Sequence, residues 1–161
     1  MPVTADITAT YRGPVPVLGR RLAGRQREDR ALAILMAGCV VLYIAQWPRL
    51  AREAHLSDAP LDMLLGGSLL AVVFIVPLVL YALAGVSHLI GRMLGGQGTY
   101  HAARMALFWA LLASGPVFLL NGLMQGFAGE TAQSQVTGLL ALGIFLWFWL
   151  AGLMAVERGR V

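Results

Sequence analysis

The chain contains no lysine; its twelve basic residues are all arginines. Charge of either sign is scarce, at 12% against the ~25% of ordinary soluble domains, while apolar residues reach 58%. Four stretches lack ionised side chains altogether: Ala31 to Trp47, Met63 to Gly91, Met105 to Gly129 and Thr131 to Val156. A water-soluble fold of this size cannot cover so much apolar surface, which excludes the soluble globular classes. The only cysteine, Cys39, lies inside the first stretch and excludes an internal disulfide; it reads as a small buried hydrophobe. No secretory signal is expected, because the first apolar run ends in Gln46-Trp47-Pro48 rather than at small residues.

Reactive constellations are also missing. The sequence has no HExxH, no GxSxG and no paired carboxylates, so an enzyme is not expected, and neither is a cofactor. His88 and His101 stand too far apart, and too far from cysteines or carboxylates in sequence, for a metal site. They read as interfacial histidines. No carboxylate falls inside an apolar stretch, which weakens a proton- or sodium-coupled carrier.

What is present is a membrane architecture. Four spans of about 20 residues with short loops account for most of the chain. The expected fold is an all-α, multi-pass transmembrane bundle with short interfacial amphipathic helices. Residues 1–30 form a basic N-terminal tail, 31–156 the bundle and 157–161 a charged end. The spans are placed at about 31–47, 61–90, 101–127 and 135–156. Residues 1–10 read as a loose tail. Tyr11, Val15, Leu18 and Leu22 then recur on one helical face, with Arg12, Arg20 and Arg21 turned away, as suits a helix in the headgroup layer. The first span is short; it either leans on its flanks or continues past Pro48 with a kink. Pro48 to Ala54 reads as a short helix lying flat. Pro77 and Pro116 fall in the middle of spans two and three.

The arginines give the orientation. Arg12, Arg20, Arg21, Arg25, Arg27 and Arg30 precede the first span; Arg92, Arg104, Arg158 and Arg160 fall on the same side when four spans are threaded. Only Arg49 and Arg52 fall on the other. That bias places both termini in the cytoplasm. The N-terminal six are the candidate membrane-surface basic residues, facing anionic headgroups. Their position beside a span argues against nucleic acid as the partner.

Helix contacts in lipid rely on small residues. Ala102, Ala106, Ala110 and Ser114 form a smooth stripe on span three, followed by Gly122 and Gly126 in a GxxxG. These pack either within the bundle or against a second copy or another membrane protein. Asn121 is the most polar group within a span and calls for an interhelical hydrogen bond or, less simply, a solute.

Gly95-Gly96-Gln97-Gly98-Thr99-Tyr100 opens span three, and Pro116 follows mid-span. This resembles the signature of the Yip (Ypt-interacting protein) family, a GGxG-[ST]-aromatic turn before a membrane helix with a central proline. The resemblance covers about residues 11–156. It implies a small multi-pass bundle, usually of five spans rather than the four found here, which leaves the side of the C-terminus open. In eukaryotes the family works in Golgi and endoplasmic-reticulum traffic with Rab GTPases; for bacterial relatives it implies no defined activity. The lysine-free, Arg/Ala/Gly-rich usage points to a GC-rich bacterial genome and an inner membrane. The leading expectation is a non-enzymatic protein that organises the bilayer or tethers partners. The alternatives are a small-solute carrier or channel, and an accessory subunit of a larger complex.

Overall fold

The computed structural model describes residues 3–23 and 28–159, and among these every element is helical. In chain order they are α1 (Val3–Arg12), α2 (Pro14–Leu22), α3 (Glu28–Ser57), α4 (Leu61–Leu70), a π-helical segment (Ala71–Ile75), α5 (Val76–Met93), α6 (Tyr100–Ala113), α7 (Gly115–Ala128) and α8 (Ala132–Glu157). Among the described residues three helices are long and apolar enough to cross a membrane: α3, the continuous rod Leu61–Met93, and α8. The α6–α7 pair makes a fourth if it is taken as one bent span.

The N-terminal segment departs from expectation. Val3–Arg12 is a helix rather than a loose tail, with Asp6 in its first turn and Arg12 in its last, as the helix dipole favours. The amphipathic face read across Tyr11–Leu22 is divided between two helices. Gly13 takes an extended conformation and Pro14 starts α2, where its missing N–H costs nothing.

Pro48 does not end α3, which runs through it to Ser57, so the segment after it is no separate flat helix. Thirty residues give about 45 Å of helix, longer than a ~30 Å hydrocarbon core. Its first turn, Glu28–Arg30, stands ahead of the charge-free stretch. Pro77 is accommodated differently. The wider π turn immediately before it redistributes the carbonyls that the proline cannot satisfy.

Pro116 produces the main break. It occupies the first turn of α7, and α6 and α7 are bent by 42°. Val117 N–H donates to Ser114 O instead of continuing the α6 ladder. A freed carbonyl in an apolar surrounding needs another donor. The Tyr11 hydroxyl supplies it, donating to Ala113 O at 3.1 Å.

At the centre of the bundle stands α6, where every residue from Met105 to Ala113 is buried. It is enclosed by α3, α5, α8 and the α1–α2 hairpin. Beyond the bend α7 continues between α3 and α8. The Leu61–Met93 rod packs along one flank and turns Phe74, Leu78 and Leu89 outward. Such an apolar exterior is what lipid covers.

Candidate functional site: the arginine-bearing end

The helices alternate in direction, so Glu28, Tyr100 and Glu157 gather at one end of the bundle, and Arg52 and Phe127 at the other. The first end carries three polar clusters.

Asp6 organises the first. Arg20 Nη2 lies 3.2 Å from its Oδ1 and Arg21 Nη2 2.7 Å from its Oδ2. Arg20 remains half-exposed, whereas Arg21 is 13% exposed and lies 3.8 Å over the Trp109 ring. Trp109 Nε1 donates to Thr10 Oγ1 at 3.1 Å, and Thr10 Oγ1 donates on to Asp6 O at 2.7 Å. Val17 and Leu18 pack into the core beside this network. The α1–α2 hairpin is therefore seated on α6 through polar and apolar contacts together.

Glu28 makes the second cluster. Its Oε1 lies 3.0 Å from His101 Nδ1 and 2.6 Å from Arg104 Nη2. The hydrogen bond with His101, followed by that with Arg104, holds the Glu28 carboxyl below the ordinary range, against the opposing effect of desolvation. Arg104 in turn lies 4.5 Å over the Tyr100 ring.

The third cluster involves Glu157, expected in the charged end and found as the last residue of α8, its side chain 11% exposed. Gly98 N–H donates to its Oε2 at 3.2 Å, and His88 Nδ1 lies 3.2 Å from its Oε1. Gln97 N–H donates to the Glu157 backbone carbonyl at 3.0 Å. A Cβ at Gly91 or Gly98 would stand 2.7 Å or 3.0 Å from the Glu157 carboxyl carbon, and one at Gly96 would strike its Oε2. The loop is glycine-rich because it wraps a carboxylate. Gly95 adds a positive φ of 85° at the turn.

These contacts give the motif residues physical roles. Thr99 caps α6, its Oγ1 accepting from Ala102 N at 3.2 Å. Tyr100 begins the helix and borders His88. Pro116 begins α7.

The small residues lie in internal contacts. Ala106, Ala110 and Ser114 are buried and Ala102 is partly so. Ala106 faces Gly152 of α8, where a Cβ would come within 3.3 Å of it. On α7, a Cβ at Gly122 would collide with the Ala45 carbonyl of α3, and one at Gly126 with the Pro48 side chain. Asn121 Oδ1 accepts from Thr137 Oγ1 at 2.9 Å, an interhelical bond between α7 and α8.

Of the basic residues, Arg20, Arg21 and Arg30 line one cavity of about 520 Å³. Arg12 is exposed at the end of α1 and away from it. Arg25 and Arg27 lie outside the described residues. Sequence reasoning missed the carboxylates. Asp6, Glu28 and Glu157 each hold this end together, yet nothing in their local sequence pairs them with partners 14 to 76 positions away. Among the described residues no three metal-ligating side chains converge.

The glycine loop, the capped start of α6 and the proline break coincide with a known domain. The family model described as the Yip1 domain matches residues 19–160. The chain belongs to the Yip1 domain family. That membership, with the apolar helices, makes it a multi-pass membrane protein. The matched stretch includes the ties centred on Glu28 and Glu157, whereas Asp6 lies on α1 ahead of it. No curated protein and no solved structure matches the chain.

Proposed function

We propose that this Yip1-domain protein is a non-enzymatic organiser of the bilayer, or tether of membrane partners, acting through the arginine-bearing end. In this reading it resides in a bacterial inner membrane with its N-terminus in the cytoplasm. The single observation that carries it is the charge asymmetry. Counted along the sequence and threaded through four spans, ten arginines fall on the N-terminal side and only Arg49 and Arg52 on the other. Arginine on short segments next to spans is retained on the cytoplasmic side and is drawn to anionic lipid. The clusters support the reading further. They hold Arg20, Arg21 and Arg104 on a fixed framework, so a partner meets a part of the basic surface that is already formed.

The carrier alternative loses its sequence support. Pro77 is absorbed by a π turn, Pro116 starts a helix, and Asn121 is engaged by Thr137. The accessory-subunit alternative rests on the small-residue stripe, of which Ala106, Ala110 and Ser114 are buried within this chain.

Two measurements test the proposal. Cys39 is buried, so a Cys39→Ala, Thr4→Cys chain reports the side of the N-terminus by labelling with a membrane-impermeant maleimide. Labelling only after lysis is expected; labelling of intact cells refutes the orientation. In-membrane crosslinking followed by mass spectrometry then compares the native chain with one carrying Arg12, Arg20, Arg25 and Arg27 as Gln. Partners and anionic lipid should be lost together; an unchanged crosslink pattern refutes the role of the basic end.

A further inference from the structure

We infer that the cleft between the α1–α2 hairpin and α3 is a discrete site for one anionic phospholipid. Its phosphate is held by Arg20, Arg21 and Arg30, and an acyl chain lies along α3. This deepens the basic-face reading and rests on it, but it predicts a stoichiometric ligand where that reading alone predicts only a diffuse headgroup atmosphere.

The cleft holds about 520 Å³ and has two chemically distinct halves. The rim carries three guanidinium groups against one carboxylate, Asp6, a formal balance of +3 − 1 = +2. Asp6 engages one Nη2 of Arg20 and one of Arg21, which leaves most of their donors unengaged by it. Arg21 Nε is buried without a hydrogen-bond partner. Arg30 has no ion-pair partner among the described residues, although it faces the same cleft. A phosphate in the cleft supplies acceptors to the exposed guanidinium nitrogens of Arg20 and Arg30, in the planar geometry guanidinium favours.

The other half is apolar. Ala33, Ile34 and Ala37 of α3 and Leu112 of α6 form the floor. Ala33 and Ala37 are one turn apart and exposed, and their short side chains leave a lane on the helix. Val40 and Ile44, also exposed, continue it on the same face away from the arginines. A soluble phosphate would fill the rim and leave this floor bare. A phospholipid covers both at once, with its chain running down the lane into the hydrocarbon. The positive balance disfavours a zwitterionic head whose ammonium would sit among guanidiniums. Val3 and Asp6 close the cleft from α1, which lies outside the stretch matched by the family model, so the site is built partly from this chain's own N-terminal segment.

The test uses the full chain purified in mild detergent, stripped of lipid and examined by native mass spectrometry. Phosphatidylglycerol is titrated in parallel with phosphatidylcholine, and glycerol 3-phosphate is added as a soluble competitor. One phosphatidylglycerol per chain is expected, bound about tenfold or more tightly than phosphatidylcholine. Arg20→Gln with Arg30→Gln should weaken it about tenfold; both side chains are exposed enough to change without disturbing the fold. Ala33→Leu with Ala37→Leu should close the lane and weaken binding comparably, with the arginines intact. Equal occupancy by phosphatidylcholine, or unchanged binding in either double variant, overturns the site. Competition by glycerol 3-phosphate as effective as that by phosphatidylglycerol overturns the lipid assignment. Failure of the orientation reading shows separately, as maleimide labelling of the Thr4→Cys chain from outside intact cells.

Discussion

Replacing Gly122 by alanine adds a single methyl group at the closest approach between α7 and α3. That methyl would collide with the Ala45 backbone carbonyl. A flexible side chain could swing aside; a carbonyl inside a continuous helix cannot, so the two backbones must separate. Overpacking of this kind costs about 1–3 kcal/mol, and the unyielding partner puts it toward the upper part of that range. Alanine's better helix propensity returns up to about 1 kcal/mol, so the net loss should be about 2 kcal/mol. Gly143→Ala provides the control, because a Cβ there meets nothing within 4 Å. It keeps the propensity gain without the steric clash, so it should be neutral or stabilised by up to about 1 kcal/mol. The two variants, identical in chemistry, should differ by about 3 kcal/mol. Equilibrium unfolding in mixed micelles, followed by far-ultraviolet circular dichroism, measures the difference. Agreement within about 0.5 kcal/mol would refute the close packing of α3 on α7 and return the GxxxG to the candidates for an intermolecular face.

Glu157→Gln should leave His88 and the Gly98 amide with a weaker acceptor and cost about 1–2 kcal/mol; faster deuterium exchange across Gly95–Gly98 is the sign, and unchanged exchange would mean that the loop does not depend on the carboxylate. Asn121→Ala removes the bond to Thr137 and should cost only about 0.6 kcal/mol, as interhelical hydrogen bonds in membranes average; vesicles containing either form should be equally impermeable, and a solute flux abolished by the change would restore the carrier reading. The Glu28 carboxyl titrates below its unfolded value, so its tie to His101 contributes above that value and is lost as pH falls through the folded one. Thermal stability should therefore decline as pH drops below about 4, and Glu28→Gln should flatten that decline; an equally steep decline in the variant would assign it to other groups.

The all-α membrane bundle is legible because lipid forbids ionised side chains over long runs, and that rule writes itself directly into the sequence. Its silence on everything else explains the departures. The sequence leaves open whether a proline ends, kinks or is absorbed by a helix: Pro48 sits within α3, Pro77 follows a π turn and Pro116 bends the path. What a proline does depends on whether neighbours can satisfy the carbonyls it frees, and Tyr11 reaching Ala113 is a contact 102 positions long. Residues 1–10 look like a tail because they are polar and short. Their order comes from Thr10 against Trp109 and Asp6 against two arginines, none of which is local along the chain. The glycine motif is visible in the sequence, and a tight chain reversal is its natural reading; the carboxylate it wraps, 59 positions from Gly98, is not visible there.

A central helix as apolar as α6 could face lipid on any side, yet it is enclosed on all of them, and the last side is closed by the short, charged α1–α2 hairpin rather than by a further span. Covering an apolar helix with such a segment is favourable only if its charges are paired or kept at the surface. Asp6 does the pairing for Arg21, and the stacking of Arg21 on Trp109 replaces part of the hydration it loses. Arg20, which stays accessible, is thereby fixed beside Arg30 of α3 instead of trailing from a flexible tail. Seating the hairpin on α6 thus does two things at once: it completes the core, and it creates the cationic cleft. A chain in which Trp109 no longer held Thr10 and Arg21 should lose order at Val3–Leu22 and the cleft's lipid together, while α3, α7 and α8 keep their mutual packing. Deuterium exchange read alongside native mass spectrometry of a Trp109→Leu chain checks both, and retention of the lipid by a chain whose hairpin has come loose would break the link between them.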